Sequence, residues 1–454
     1  MPEISDEPAM ASNTSVSMIS NSCRRSSGVS SPANRCLAWS IFLIGRMIHM
    51  DLHPLPVASS LNLRSIIHPA SLPSIQPSWC RLQGRNASGA RGRQVATEGE
   101  IRMKVQFALQ GVPLREAGTF AKSIEDAGYD GVVTQENANE PFLPLAVAAT
   151  TTERVQLATG VAIAFPRSPM IVAEASWDLQ TASNGRFVLG LGSQVKGHNE
   201  RRFSVPWSPP APRLKEYIQS LHAIWKCWAE GGRDLAYIGK HYSFTLMTPN
   251  FTPKPNGFVG APVTIAAVGP AMMRVAGEVC DGVRLHGFCT RKYIENVIMK
   301  ELQTGFDRGG RTRENFEISG GGFIATGRTE EEVQKMFEWI RYRVAFYGST
   351  RTYWPVFEQH DLVDLGEKLH KMSVQQRWDE MAKEVPDDVV DLFCARGTWD
   401  VIAKRIEERF GGLSDSIGFQ TATEEAPQIV EKDVLQDIQR IPTTFKGYNL
   451  NHAA

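Results

Sequence analysis

The sequence predicts an α/β fold, a parallel (β/α)8 TIM barrel with insertions, and three observations predict it. Strand and helix patterns alternate regularly from Met103 onward, the unit recurs eight times, and the residues that packing alone does not explain collect where strands end. Regular alternation implies parallel pairing through crossover helices, and eight units favour closure into a barrel over an open sheet. An open, doubly wound sheet is the runner-up.

Lys104–Gln110 alternates apolar and polar residues as a strand does, and a helix follows from Pro113 with Ala117, Phe120, Ala121 and Ile124 at helical spacing, ended by Gly128. Gly131–Thr134 is the second strand, and its helix opens at Pro141, with Phe142, Leu145, Ala146 and Ala149 on one face. The third unit is Val155–Ala164 with a helix over Ser168–Thr181. The fourth is Arg186–Leu191, a long polar loop and a helix over Arg213–Glu230. Pro262–Ala267 leads into a helix at Pro270, and Gly282–His286 into one at Arg291. Phe316–Ala325 precedes a helix opening at Thr329-Glu-Glu-Glu, and Asp415–Gln420 is the eighth strand. The span Ala345–Val401 is too long for one loop and reads as extra helices, a lid or a dimer-contacting insertion.

Residues 1–102 are a different material. They are rich in Ser, Pro and Arg and contain no lysine before Lys104. The one apolar run, Cys36–Gly45, is about half the length of a membrane crossing. This segment is expected to be disordered or a spurious extension, with one (β/α)8 domain over 103–454. An organelle leader is disfavoured by Glu3, Asp6 and Glu7.

The formal net charge is zero, so no long-range field gathers nucleic acid or a membrane, and a small molecule in a local pocket is the expected partner. Seven scattered cysteines point to a reducing, cytoplasmic setting, and no clustered ligand set supports a metal.

In such a barrel the chemistry sits at the C-terminal ends of the strands. After strand 2 stand Gln135, Glu136 and Asn137, able to bind a polar group or relay a proton, or simply to form a solvated loop with Glu136 capping the next helix. Strand 3 carries Thr159-Gly-Val-Ala-Ile-Ala-Phe-Pro166, whose glycine suggests a bulge shaped by packing or by a close ligand. Strand 4 ends in Leu189-Gly-Leu-Gly-Ser-Gln194, an incomplete dinucleotide fingerprint. Ala266-Ala-Val-Gly-Pro270 runs straight into a helix and is the best anion site, or a plain turn. His286 closes strand 6 as a ligand donor or a core histidine. Trp207, Trp225, Trp339 and Trp354 are candidates for an apolar pocket, or for core and interface.

Taken in order, Gly128-Tyr-Asp-Gly131, Pro141-Phe-Leu-Pro-Leu, Ala164-Phe-Pro-Arg-Ser-Pro169, Gly185-Arg-Phe-Val-Leu-Gly-Leu-Gly-Ser193 and Ala276-Gly-Glu-Val-Cys-Asp-Gly282 resemble the bacterial luciferase-like family, and most closely its putative F420-dependent oxidoreductase branch. The resemblance spans about Met103 to Gln420. It implies a barrel holding coenzyme F420, or alternatively FMN, with a non-prolyl cis peptide within Gly160-Val161-Ala162 behind the ring. Gly192, Ser193 and Asn199 would meet the cofactor tail, and Ala267, Val268, Gly269 and Pro270 its phosphate; His286 joins the cofactor-binding candidates only from its place near the end of strand 6. Related chains carry a histidine or an Asp-His pair after strand 2, where this one has Glu136, Asn137 and Asn139. The expected activity is hydride exchange between the deazaflavin and a small organic substrate, with Glu136 and Asn137 as the catalytic candidates. An FMN-dependent monooxygenase and a non-catalytic cofactor-binding barrel are the alternatives. A homodimer is expected by resemblance only.

Overall fold

The computed structural model describes residues 101–419, 421–422 and 427–450. The expectation of disorder for 1–102 therefore lies outside the described residues, save at its last two. There Arg102 is already part of the fold, bridging to Pro442 and pairing with Asp130 at 2.8 Å.

Eight parallel strands close into a ring: β1 Lys104–Ala108, β2 Gly131–Thr134, β3 Gln156–Thr159, β4 Phe187–Gly192, β5 Val263–Ala267, β6 Gly282–Leu285, β7 Glu317–Gly320 and β8 Ser416–Gly418. β8 returns to β1 at Lys104↔Ser416, and β3 joins β4 at Leu157↔Phe187. Past a bulge, β3 resumes as Ala162–Ile163 beside Leu191 and Gly192. Side chains alternate as the pleat requires. Val105, Phe107, Val132, Leu157, Leu189, Ile265, Val283 and Ile318 face outward into the main core beneath the helices. Val133, Ala158 and Val188 form a separate small cluster inside the ring, with Tyr448 against it.

The N-terminal rim of the barrel is held by carboxylates placed one residue before a strand. Asp130, Asp281 and Asp415 precede β2, β6 and β8, and each accepts the backbone N–H of the strand before it: Val105 at 2.9 Å, Val263 at 2.8 Å and Ile318 at 2.8 Å. Each also carries an arginine, Arg102, Arg311 or Arg313. A buried carboxylate that is paired and accepts backbone hydrogen bonds avoids the cost of burying bare charge. β3 is anchored differently. Glu125 accepts the N–H groups of Glu153, Arg154 and Val155, while Arg186 donates to the carbonyls of Val155 and Thr152.

The helices follow from their caps. Gly128 ends Ala117–Ala127 in a left-handed conformation at φ 105°. Ser168 caps Pro169–Ala182, and Thr329 caps Glu330–Gly348. The first helix begins at Ala117 rather than Pro113, because Pro113–Glu116 forms a single turn before it. Ala146 is exposed, and Ala148 takes its place in the buried face of Phe142–Thr151.

The predicted seventh strand, Phe316–Ala325, is two strands. Gly320 and Gly321 take φ of 77° and 103° and turn the chain out of the barrel. Phe323–Gly327 then pairs in parallel with Cys394–Thr398 in an outer sheet. The insertion is thus not helical throughout; it is a small α/β lobe anchored by Arg409, which donates to the carbonyls of Cys289 and Gly321. No described helix is long and apolar enough to cross a membrane.

Replacing Asp281 by Ala should lower unfolding free energy by about 3 kcal/mol, since it strands the Val263 N–H and Arg311 together; chemical denaturation measures this. Burial alone would raise the Glu125 carboxyl, but the N–H groups of Val155, Arg154 and Glu153 and the Lys122 ammonium outweigh it and hold it at about 2, below its ordinary 4.5. A depressed folded pKa gives stability that is complete above pH 4.5 and lost as pH falls toward 2. Glu125→Gln should flatten that part of the stability–pH curve, read by thermal melts across the acid range.

Candidate active site

The C-terminal rim is built around the bulge in β3. The peptide bond between Gly160 and Val161 is cis, where the resemblance implied one. Both neighbouring strands hold this segment: Gly160 N–H donates to Thr134 O, Glu136 N–H to Val161 O, and Ala164 N–H to Gly192 O. Between Thr159 and Gly190 the backbones approach so closely that the Thr159 hydroxyl both donates to Gly190 O and accepts Gly190 N–H, at 2.7 and 2.8 Å. A Cβ on Gly190 would stand 1.8 Å from Thr159 O, and one on Gly160 2.4 Å from Val133 Cγ1. The glycines are therefore required by close approach of backbone and side chains.

Glu136 faces the bulge. Its Oε2 accepts Ile163 N–H at 2.6 Å and Arg167 Nη1 at 2.7 Å, and its side chain is only 7% exposed. A carboxylate so engaged fixes the strand beyond the cis bond. Capping of the next helix falls instead to Glu140, which accepts the N–H groups of Phe142 and Leu143 and takes the second Arg167 nitrogen at 3.4 Å. Asn137 is exposed; its amide reaches Gln135, and its carbonyl accepts Arg202. The residues chosen after strand 2 thus divide into one buried brace and one solvent-facing loop.

Beneath the bulge, inside the ring, lies Arg284, which the sequence reading did not single out. Its Nε donates to Thr264 Oγ1 and its Nη1 reaches Gln106 Oε1, while the buried Nη2 has no partner among the described residues. The ring below is closed by Glu317, which lies 3.9 Å from Lys104 Nζ and accepts the Tyr448 hydroxyl. Burial opposes the charge on Glu317, but Lys104, Arg284 and that hydroxyl keep its pKa below the ordinary value.

Next to the bulge, Gly192 leaves room for Val161, whose Cγ2 would sit 2.7 Å from an added Cβ. Ser193 is half-buried at the start of the following loop. Asn199 is fully buried and turns inward, donating to Ser193 O and Val195 O. It braces the loop that carries Ser193. One strand further on, Ala267 and Val268 lead to Gly269, the N-cap of Pro270–Val279. Met272 and Met273 N–H both return to Gly269 O, leaving the amides of Gly269 and Ala271 without protein acceptors among the described residues. A side chain at Gly269 would meet nothing within 4 Å. Free amides at a helix N-terminus favour an anion.

His286 stands across the ring from the bulge. Its Nδ1 accepts Phe288 N–H at 2.9 Å, so the neutral ring carries its proton on Nε2. Burial, with help from Arg343, lowers its pKa to about 4, and it is neutral near pH 7. Its ring packs between Tyr347 and Tyr353, with centroids 4.3 and 5.0 Å away. These insertion residues were not foreseen as site residues. Of the tryptophans, Trp225 is core, bonded to Ala173 O, and Trp354 donates to Gly348 O. Trp339 lies on the helix that carries Arg343 and Tyr347 and is 46% exposed. An open surface groove lined by Arg291, Glu407, Glu408 and Pro442 shares no residue with this rim.

A closed ring of eight parallel strands with helices between them makes this a (β/α)8 barrel. The profile described as luciferase-like monooxygenase matches residues 92–415, and the chain belongs to that family. Its sequence is 40% identical over 344 residues to the uncharacterized protein Rv1360 of Mycobacterium tuberculosis, covering 75% of this chain and 99% of that one. It is 26% identical to the putative coenzyme F420-dependent oxidoreductase Rv3520c of the same organism, over 68% of this chain and 92% of that one. Among solved structures, the coenzyme F420-dependent tetrahydromethanopterin reductase from Methanopyrus kandleri superposes with a TM-score of 0.58 at 19% identity, over 75% of this chain and 98% of that one, and shows the same fold. Members of the family are oxidoreductases and monooxygenases.

Two glycine substitutions separate packing from binding. Gly190→Ala should cost at least about 3 kcal/mol through collision with Thr159, whereas Gly269→Ala should change stability by less than about 1 kcal/mol, both read by denaturant unfolding.

Proposed function

We propose that this chain is a coenzyme F420-dependent oxidoreductase exchanging a hydride with a small organic substrate. The observation that carries the reading is the convergence, on one rim, of the Gly160–Val161 bulge, the partnerless Arg284 nitrogen beneath it and the free amides at Gly269. Those features suit a flat, electron-rich ring with an anionic tail. The shelf is glycine and valine, the cation lies below it, and the position above Gly269 is open. The likeness to a putative F420-dependent oxidoreductase supports the deazaflavin over other planar rings.

When bound, the cofactor supplies the hydride chemistry, and the protein supplies orientation and electrostatics. Val161 and Ala162 back the ring from β3. Gly192 and Ser193 lie along the tail, with Asn199 fixing their loop. Ala267, Val268, Gly269 and Pro270 present the amides and helix dipole to phosphate. His286, neutral with its proton on Nε2, offers a hydrogen bond to a polar atom of the ligand. Glu136 acts as a positioning residue that holds the shelf, and Asn137 contacts solvent-side groups. A second reading, an FMN-dependent monooxygenase, is favoured by the description of the family profile.

Titrating the purified protein with F420 and separately with FMN, followed by ring fluorescence, tests the reading. Saturable quenching of F420 is the expected result; preferential binding of FMN transfers the assignment to the second reading, and binding of neither defeats both. Glu136→Ala should weaken cofactor binding about tenfold, equivalent to about 1.4 kcal/mol, while leaving the pH profile of any turnover in place. A shifted profile would instead make Glu136 the proton-handling group.

A further inference from the structure

The rim has a second side, and its chemistry differs from that of the shelf. β3 and β7 stand opposite each other in a ring of eight, so the wall formed by His286 after β6 and by the insertion after β7 faces the Gly160–Val161 bulge. That wall is aromatic and positively charged. Arg343 lies over the rings of Trp339 and Tyr347, at 5.3 and 5.0 Å, and its Nη2 donates to the Tyr347 hydroxyl at 2.7 Å. Its Nε is buried without a partner, and no carboxylate pairs with it among the described residues. Arg341, two residues earlier on the same helix, is by contrast paired with both Glu338 and Asp387. A half-buried guanidinium left without an anion carries a desolvation cost that packing on aromatic faces offsets only in part. Beside it, His286 Nε2 has no acceptor among the described residues.

We infer that this wall selects a flat substrate bearing an anionic group, such as a carboxylate, with Arg343 as the residue that reads the charge and Tyr347 and Tyr353 as the surfaces that take the planar body. Arg343 suits the task because a guanidinium stacks on aromatic faces while offering in-plane N–H donors to a carboxylate. The ligand is a compact anion resting between the shelf and the aromatic wall. The inference rests on the reading of this rim as the substrate side of the proposed oxidoreductase, but it does not require a particular cofactor.

The test uses the full chain and two probes of nearly the same shape, benzoate and benzamide. Trp339, in contact with Arg343, serves as the fluorescent reporter, and calorimetry provides an independent measure. Benzoate should bind the wild type at least about tenfold more tightly than benzamide, as expected for one charge-assisted pair. That ratio should shrink with added salt, collapse to about unity in Arg343→Met and fall to an intermediate value in Arg343→Lys, which keeps the charge but not the stacked planar fork. If Arg343→Met does not fold, the salt dependence and the lysine variant decide the matter. Equal binding of the two probes, no binding of benzoate, or a preference that persists in Arg343→Met overturns the inference. Because the probes are titrated with and without added F420 and FMN, failure of the cofactor reading appears as a flat cofactor titration. Failure of this inference appears as a lost benzoate preference.

Discussion

The register of the barrel depends on one repeated interaction, an aspartate one residue before a strand accepting the N–H of its neighbour. Asp130, Asp281 and Asp415 occupy equivalent places before β2, β6 and β8, and each fixes the strand before it. In a parallel sheet a slip of one residue turns every inward side chain outward. Had β6 shifted against β5, Arg284 would leave the ring and His286 would leave the rim. The chemistry at one end of the barrel is thus set by charge pairing at the other.

The two rims divide labour in physical terms. At the N-terminal rim the three aspartates are fully engaged, each taking a backbone N–H and an arginine. At the C-terminal rim several strong polar groups are left open, among them the Arg284 Nη2, the Arg343 Nε and the amides at Gly269. Buried polar groups are ordinarily satisfied, so strong donors left open beside the β3 bulge contrast with the engaged aspartates at the other end. Glu136 marks the boundary, since it lies on the binding rim yet spends its oxygen on Ile163 and Arg167.

Much of the fold was legible because the periodicities are local. Gly131–Thr134 was recovered with its observed limits, and the β3 bulge announced itself through a glycine in a β-favouring run. The seventh strand was misjudged because its apolar pattern continues across Gly320, Gly321 and Gly322, although three successive glycines were themselves a signal for a break. The outer strand Cys394–Thr398 was missed since its partner lies far away in sequence and its own alternation is short. Candidate residues on strand ends were singled out from their place in the pattern. Arg284 was passed over as one charged residue within a strand, and Arg343 and Tyr347 as ordinary residues of an amphipathic helix. What distinguishes them is the absence or presence of a partner in space, which no linear pattern records.

Tyr448 plugs the ring from beneath, its hydroxyl on Glu317 and its body against Val133, Ala158 and Val188. With that stopper in place the inner layer of side chains is covered at the N-terminal end, and the lumen-facing charges of Lys104, Glu317 and Arg284 lie above it. A chain cut short of this tyrosine would admit water to the ion pairs of the lumen from the far side, and the barrel would become a leaky tube in place of a cup.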